Sequence, residues 1–279
     1  MMKSLKIDGQ TLPAIGMGSW RLGQGRYPAA EESAALNYGL SHGLKVIDTA
    51  EMYGDGDSEI LIGNTLKNQR EKAFLVSKVY PWNASRSGMQ AACEQSLKRL
   101  QTDYLDLYLL HWASEYPLEE IVDGFQQLQQ QGKIKGWGVS NFDTRAMKQL
   151  WQTPGGQQCQ VNQIFYNPQA RGTEFSLLPW CADHRVAVMA YSPLGGHDGG
   201  LLNHPLIIQL AGKYQCSPAA IVLSWVIRDG NVLAIPESGS ASHIAANLQA
   251  LEIELSDKDL QEIDRHFPAP GREQPLEIR

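Results

Sequence analysis

Apolar, β-branched runs alternate with amphipathic segments along most of this chain, the cycle repeating about every 30 residues. The apolar runs at 15–18, 45–48, 73–78, 105–110, 135–139, 160–164, 187–191 and 232–235 predict strands. Between them, helical periodicity predicts helices near 29–42, 58–68, 87–100, 118–131, 143–151, 175–184, 217–229 and 241–250. Local punctuation agrees. Ser217-Pro218 reads as an N-cap followed by proline at the first helical position. Gly43 and Gly132 stand where helices should stop. Ser256, with Asp259 three residues on, predicts one extra helix near 257–266, beyond the repeat. Ahead of the repeat, residues 5–8 and 11–15 read as two strands joined by the hairpin signal Asp8-Gly9.

Strands that alternate with helices imply a parallel sheet with helical crossovers, hence an α/β protein. A closed barrel and a doubly wound open sheet both satisfy that pattern. Open sheets that hold dinucleotides usually carry G-x-G-x-x-G after the first strand. Here Gly16-Met17-Gly18 runs into Ser19-Trp20-Arg21 and the third glycine is missing, which favours the barrel. The expected fold is a (β/α)8 TIM barrel with an N-terminal β-hairpin and an extra C-terminal helix. No linker composition interrupts the chain, so residues 1–279 are read as a single domain, and the glycine-rich stretch 195–200 as a loop within the repeat.

Composition narrows the function. With 30 acidic against 24 basic side chains the net charge is −6, which offers no broad attraction to nucleic acid or anionic membranes. No apolar run approaches the length that spans a bilayer, and the first residues lack the apolar stretch of a secretory signal. The four cysteines form no C-x-x-C pair and read as reduced, buried side chains. A cytoplasmic location is expected, with no nucleic-acid or membrane partner.

Polar residues at strand ends carry the chemistry, because barrel enzymes build their sites at the C-terminal face. Val46-Ile47-Asp48 ends in an acid, Val76-Ser77-Lys78 in a lysine and Leu109-Leu110-His111 in a histidine, and Tyr53 follows Asp48 by five residues. Each has an ordinary alternative: a helix cap, a solvated charge, a structural imidazole. Jointly they can converge on one mouth. A tyrosine is a poor acid at neutral pH. An ammonium beside it favours the phenolate and so eases donation of the proton, and an aspartate would keep that ammonium charged and oriented. A histidine could orient a substrate oxygen. A carbonyl that accepts hydride needs such a proton donor and such hydrogen bonds. No serine or cysteine nucleophile is paired with a histidine, and the seven histidines show no metal-ligand spacing such as H-E-x-x-H, so hydrolysis and a metal site are poorly supported. The hydride must come from a cofactor.

Three segments together resemble the aldo-keto reductase superfamily, particularly its bacterial members that reduce small aldehydes. The first is Gly43-Leu44-Lys45-Val46-Ile47-Asp48-Thr49-Ala50-Glu51-Met52-Tyr53-Gly54, continuing to Ser58-Glu59 and Gly63. The second is Ser96-Leu97-Lys98-Arg99-Leu100 with Asp103-Tyr104-Leu105-Asp106-Leu107 and His111-Trp112. The third comprises Gly138-Val139-Ser140-Asn141-Phe142, Gln163, and Ala190-Tyr191-Ser192-Pro193-Leu194-Gly195. The resemblance implies an NAD(P)H-dependent oxidoreductase that reduces small aldehydes or ketones, methylglyoxal among them, usually as a monomer. It implies Tyr53 as general acid, Lys78 and Asp48 as the groups that tune it, and His111 as the group that positions the carbonyl. It implies Ser140, Asn141 and Gln163 on the nicotinamide carboxamide, Tyr191 stacked on the ring, and Ser192 and Leu194 along the pyrophosphate, with Ile235, Ser238 and Asn247 in the adenosine half of the site. Trp20, Trp82 and Trp112 would wall an aromatic substrate pocket. The loop after Tyr191 and the C-terminal tail read as short, which predicts an open pocket for small dicarbonyls.

One segment departs from the pattern. The superfamily's Ile-Pro-Lys-Ser, with arginine six residues after the lysine, grips the 2′-phosphate of NADPH. This chain has Ile235-Pro236-Glu237-Ser238, with His243 at the arginine position. A carboxylate about 4 Å from a phosphate costs on the order of 1–4 kcal/mol. An acid can instead accept hydrogen bonds from an unphosphorylated ribose. Residue chemistry therefore points to NADH or dual use, and the resemblance points to NADPH. Two further readings share these residues: an alcohol or sugar dehydrogenase working oxidatively, and a cofactor-binding regulatory subunit, for which the short segment ahead of Leu5 leaves no docking extension.

Overall fold

A computed structural model describes residues 2–196 and 200–279; residues 197–199 of the glycine-rich stretch lie outside the described residues. The chain opens with the antiparallel strands β1 (Ser4–Ile7) and β2 (Gln10–Pro13), joined by Asp8 and Gly9. Both linking residues have positive φ, 49° and 71°, as a two-residue hairpin turn requires. The expected hairpin is present, each strand beginning one residue earlier and the second ending two residues earlier. It buries Leu5, Ile7 and Leu12, and Gln160, just ahead of a barrel strand, donates to Asp8. The hairpin thus sits at the N-terminal face of the barrel and leaves the opposite face open.

Eight parallel strands follow: β3 (Met17–Gly18), β4 (Val46–Asp48), β5 (Phe74–Val79), β6 (Leu105–Leu110), β7 (Ile134–Ser140), β8 (Val161–Phe165), β9 (Ala187–Tyr191) and β10 (Val232–Ala234). They pair in sequence order, each with the next. The sheet closes where Gly16 donates to the Ala234 carbonyl at 2.8 Å, Gly18 to that of Pro236 at 3.0 Å, and Ala234 back to that of Ala14 at 2.9 Å. The closed barrel expected from the missing third glycine is therefore the observed one. The seam is tight because a Cβ at Gly18 would lie 2.7 Å from the Ile235 carbonyl oxygen.

Helices α1 (Ala29–Ser41), α2 (Asp57–Leu66), α3 (Arg86–Leu100), α4 (Leu118–Gln130), α5 (Thr144–Gln152), α6 (Leu177–Asp183), α7 (Pro205–Tyr214), α8 (Pro218–Val226), α9 (Ala241–Leu248) and α10 (Asp257–His266) surround the strands. Ser217 and Ser256 cap α8 and α10 as expected, and Gly43 and Gly132 stop α1 and α4 with φ of 90° and 71°. Strands buried on both faces need apolar cover. Phe125 of α4 supplies it by stacking at 4.9 Å on the Trp137 ring of β7.

Helix α7 is a correction, having no counterpart among the expected helices. Its start is marked by His204, whose ring accepts from the Leu206 amide, followed by Pro205. Histidine is not a preferred cap, so the start signal is weak in sequence. Leu206, Ile207, Leu210 and Ala211 give the helix its buried face.

Candidate active site

Strand ends at the open face deliver the polar groups. Asp48 is the last residue of β4, Lys78 lies near the end of β5 and His111 directly follows β6. Tyr53 begins the short 3-10 turn Tyr53–Gly56 that leads into α2, and the left-handed backbone of Gly54 and Asp55 makes that turn. All four side chains are buried, and Lys78 is wholly excluded from solvent. The structure brings them together. Lys78 Nζ donates to Asp48 Oδ2 at 2.8 Å, to the Thr49 carbonyl at 2.7 Å and to the Tyr53 hydroxyl oxygen at 3.0 Å. An ammonium has three protons, so its donors are fully used. The Tyr53 oxygen accepts from Lys78 and keeps its own proton free to be given to a substrate. The Tyr53 and His111 rings meet edge-on at 6.0 Å.

Burial dominates the electrostatics. It raises the Asp48 pKa and lowers that of Lys78, and their mutual attraction opposes both shifts. Burial, with Asp48 adding repulsion, pushes the Tyr53 hydroxyl well above its ordinary value. The sequence expectation that Lys78 would ease ionisation of Tyr53 is thus outweighed by burial. The lysine orients the phenol, and burial keeps it protonated. Burial, then the charge of Lys78, lowers His111 to about 2, so its imidazole is neutral. The His111 Nδ1 is buried and has no hydrogen-bond partner among the described residues.

The next strand ends form an adjoining wall. Ser140 Oγ donates to the Gln163 carbonyl at 2.8 Å, and Gln163 Nε2 donates to Asp48 Oδ1 at 2.7 Å, which ties this wall to the buried ion pair. Asn141 Nδ2 donates to the His111 carbonyl at 3.1 Å and its Oδ1 accepts from the Tyr191 hydroxyl at 2.9 Å. Asn141 and Ser192 hold left-handed backbone, φ 59° and 45°, conformations that cost free energy and cluster where a surface must be shaped for a ligand. Leu194 is part-buried against the core beyond Tyr191. Past β10, Ile235, Ser238 and Asn247 are buried, Glu237 is half-buried and His243 is exposed on α9.

Trp82 and Trp112 come together at 6.1 Å, with Tyr80 stacked on Trp82 at 4.2 Å and His111 at 4.6 Å from Trp112. Trp82 remains 60% exposed, so its ring is available at the mouth rather than packed in the core. Trp20 is also exposed, beyond β3, with the Arg21 guanidinium 4.9 Å over its ring. Sequence reasoning missed several contributors. The Thr49 carbonyl fixes Lys78 through backbone, which no side-chain motif displays. Glu51, inside the first motif, accepts from the Tyr80 amide at 2.7 Å and from Asn83, and so anchors the turn that carries Trp82. The C-terminal segment, expected only to be short, returns to the mouth. The Arg279 amide donates to the Tyr191 hydroxyl at 3.2 Å and its guanidinium lies 4.8 Å over Phe165.

A closed barrel with a buried Asp–Lys–Tyr cluster and a neutral histidine at its C-terminal face defines an oxidoreductase scaffold, and sequence comparison agrees. The chain belongs to the aldo/keto reductase family, whose sequence model matches residues 14–205 and 201–267. It is 46% identical over 280 residues to methylglyoxal reductase YeaE of Escherichia coli K12, covering 99% of each chain. Methylglyoxal reductase DkgA of the same organism is 33% identical, over 92% of this chain and 90% of its own. A crystal structure of an aldo-keto reductase from Klebsiella pneumoniae in complex with NADPH superposes with a TM-score of 0.98 at 46% identity, covering all of both chains. The chain is thus an oxidoreductase that acts on small-molecule carbonyls.

A nicotinamide dinucleotide fits the residues present. Ser140, Asn141 and Gln163 supply amide and hydroxyl groups of the kind that pair with a carboxamide. The part-buried Tyr191 offers a ring beside them, and the His111 Nδ1, buried without a hydrogen-bond partner among the described residues, adds a polar group at the same mouth.

Proposed function

We propose that this enzyme reduces small aldehydes and dicarbonyls such as methylglyoxal, using NADPH or NADH, with Tyr53 as general acid. The observation that carries this reading is the Lys78 ammonium, which donates at once to Asp48, to Thr49 and to the Tyr53 oxygen. When bound, the cofactor supplies the hydride that reaches the carbonyl carbon. Tyr53 gives its proton to the carbonyl oxygen, and Lys78 stabilises the phenolate left behind until solvent reprotonates it. His111 directs the same oxygen by hydrogen bonding. Ser140, Asn141 and Gln163 would hold the carboxamide, and Tyr191 would stack on the nicotinamide ring. Ser192 and Leu194 line the pyrophosphate path. Ile235, Glu237, Ser238, His243 and Asn247 surround the adenosine half. Trp20, Trp82 and Trp112 form the substrate walls.

The Klebsiella structure with NADPH and the methylglyoxal reductases support the cofactor and the substrate class. The four cysteines are free, which agrees with the cytoplasmic location we propose for the enzyme. The test follows NADPH and NADH oxidation at their absorbance band with methylglyoxal as substrate. Tyr53→Phe keeps the ring and removes the proton, so turnover should fall about 100- to 10,000-fold. Turnover that survives in the Phe variant would remove Tyr53 from the acid's role. Absence of turnover in the unmodified enzyme, across several aldehydes and both cofactors, would overturn the reading.

A further inference from the structure

The segment after β10 has lost both cations that its family places there, yet the structure returns one from elsewhere in the chain. Arg26, in the loop between β3 and α1, places Nη1 3.1 Å from Glu237 Oε1. The loop that carries Arg26 is anchored at its start and its middle: Ser19 Oγ donates to the Asp48 carbonyl at 2.8 Å, and the Gly23 amide donates to Glu32 Oε2 at 2.8 Å. Leu22 is buried beneath it, and a Cβ at Gly239 would meet the Tyr27 ring at 2.8 Å, so loop and segment lie in direct contact. The nearby Arg21 places its guanidinium 4.9 Å over the Trp20 ring.

The pair also lies where a dinucleotide would pass. The Ile235 amide donates to the Ala190 carbonyl, so Glu237 leaves the barrel one strand away from Tyr191, a step of about 4.8 Å. Barrels of this type commonly bind phosphate at the loops after the last two strands. Here those are the loops that follow Tyr191 and Ala234.

We propose that Arg26 and Glu237 act together as the group that distinguishes phosphorylated from unphosphorylated adenosine ribose, so that one site accepts both NADPH and NADH. The guanidinium takes a 2′-phosphate, for which its planar donors are suited. The carboxylate accepts from a free 2′-hydroxyl, and in that state the ion pair stays closed. The inference rests on the proposed use of a nicotinamide cofactor and deepens it by naming the residues that set the choice. The glutamate at the position of the usual lysine is then one half of a two-residue selector rather than a simple loss of phosphate affinity.

The test measures binding by calorimetry and by quenching of tryptophan fluorescence, with NADPH, NADH, adenosine 2′,5′-bisphosphate and AMP as probes. The unmodified enzyme should bind NADPH and NADH within about tenfold of each other, and NADPH binding should be the more salt-sensitive of the two. Arg26→Ala should weaken NADPH and adenosine 2′,5′-bisphosphate at least tenfold and NADH less than threefold. Arg26→Lys should restore part of the loss. Glu237→Gln should move the ratio the other way, tightening NADPH and weakening NADH. Thermal unfolding of each variant separates these effects from a folding defect. If both cofactors bind and neither substitution moves their ratio, the selector is overturned while the reductase reading stands. A preference beyond a hundredfold for either cofactor in the unmodified enzyme also overturns it. Failure of the unmodified enzyme to bind either cofactor would overturn the reductase reading and the selector with it.

Discussion

Lys78 is fully buried, and its ammonium is committed to Asp48, Thr49 and Tyr53. Its role is therefore structural and chemical at once, and a single substitution cannot separate the two. Lys78→Met would leave Asp48 buried with only Gln163 as side-chain partner, and breaking a buried pair in this way costs about 3–5 kcal/mol. The double variant Asp48→Asn, Lys78→Met removes the stranded charge and should recover much of that loss. Neither variant should recover turnover, since the Tyr53 oxygen has lost its donor in both. Urea unfolding beside turnover checks this: a double variant no more stable than the single one would mean that the pair does not behave as a unit. His111 gives a pH test. Its folded pKa of about 2 lies below the ordinary value of 6.5, so the unfolded chain takes up a proton as pH falls through 6.5 and the folded chain does not. The enzyme loses stability on the acid side, by about 2 kcal/mol at pH 5 for this one group. His111→Gln does not titrate, so its stability gap from the unmodified enzyme should narrow by that amount between pH 7.5 and pH 5. An unchanged gap would mean that the imidazole takes up its proton over the same pH range in the folded protein as in the unfolded chain.

At the level of elements, close approach of backbones decides which positions tolerate change. Gly63 on α2 belongs to the first family-like motif, but its reason is packing: a Cβ there would lie 2.6 Å from the Arg99 carbonyl oxygen and 2.7 Å from the Leu100 carbonyl carbon. These are backbone atoms of α3 and its end, which cannot rotate away. Gly63→Ala should cost about 1–3 kcal/mol, read as a lower midpoint in thermal unfolding, while α2 on its own should gain helix propensity. An unchanged midpoint would mean that α2 and α3 separate without cost. The same motif shows why so much was legible. Glu59 accepts from Ser77 at 2.6 Å and from Arg99 at 2.6 Å, and Ser58 bonds Ser19, so conspicuous polar residues brace the strand ends that carry Asp48 and Lys78. Strand positions were readable because buried parallel strands are apolar throughout. Helix α7 was not, because its cap is a histidine and its apolar face lies next to a glycine-rich stretch that reads as loop. The Arg26–Glu237 pair was half legible. Glu237 stands out against the family pattern, whereas an exposed loop arginine 211 positions away carries no periodic or motif signal.

At the level of the whole molecule, the barrel leaves one face for chemistry, and two distant parts of the chain border it. One side is the aromatic group of Tyr80, Trp82 and Trp112, held by Glu51. The other is the segment after α10, which crosses back over the end of the barrel: Ser176 donates to Glu273 at 2.7 Å, Leu276 packs on the core, and Arg279 reaches Tyr191 and Phe165. Among the described residues the pocket expected to be open is therefore bordered by the aromatic group on one side and by the returning chain on the other. Space near Tyr53 should suit a dicarbonyl of three or four carbons and exclude a fused-ring ketone. The segment's polar contacts are few and lie at the surface, so removing it should leave the barrel folded. The ratio of kcat/KM for a steroid ketone to that for methylglyoxal should lie below about one in a hundred in the unmodified enzyme, a gap of roughly 3 kcal/mol in transition-state binding. It should rise at least tenfold in a chain ending at residue 270. A ratio that does not move, in a truncated protein whose unfolding midpoint is retained, would mean that the aromatic side alone sets substrate size and that the returning segment borders the mouth without shaping it.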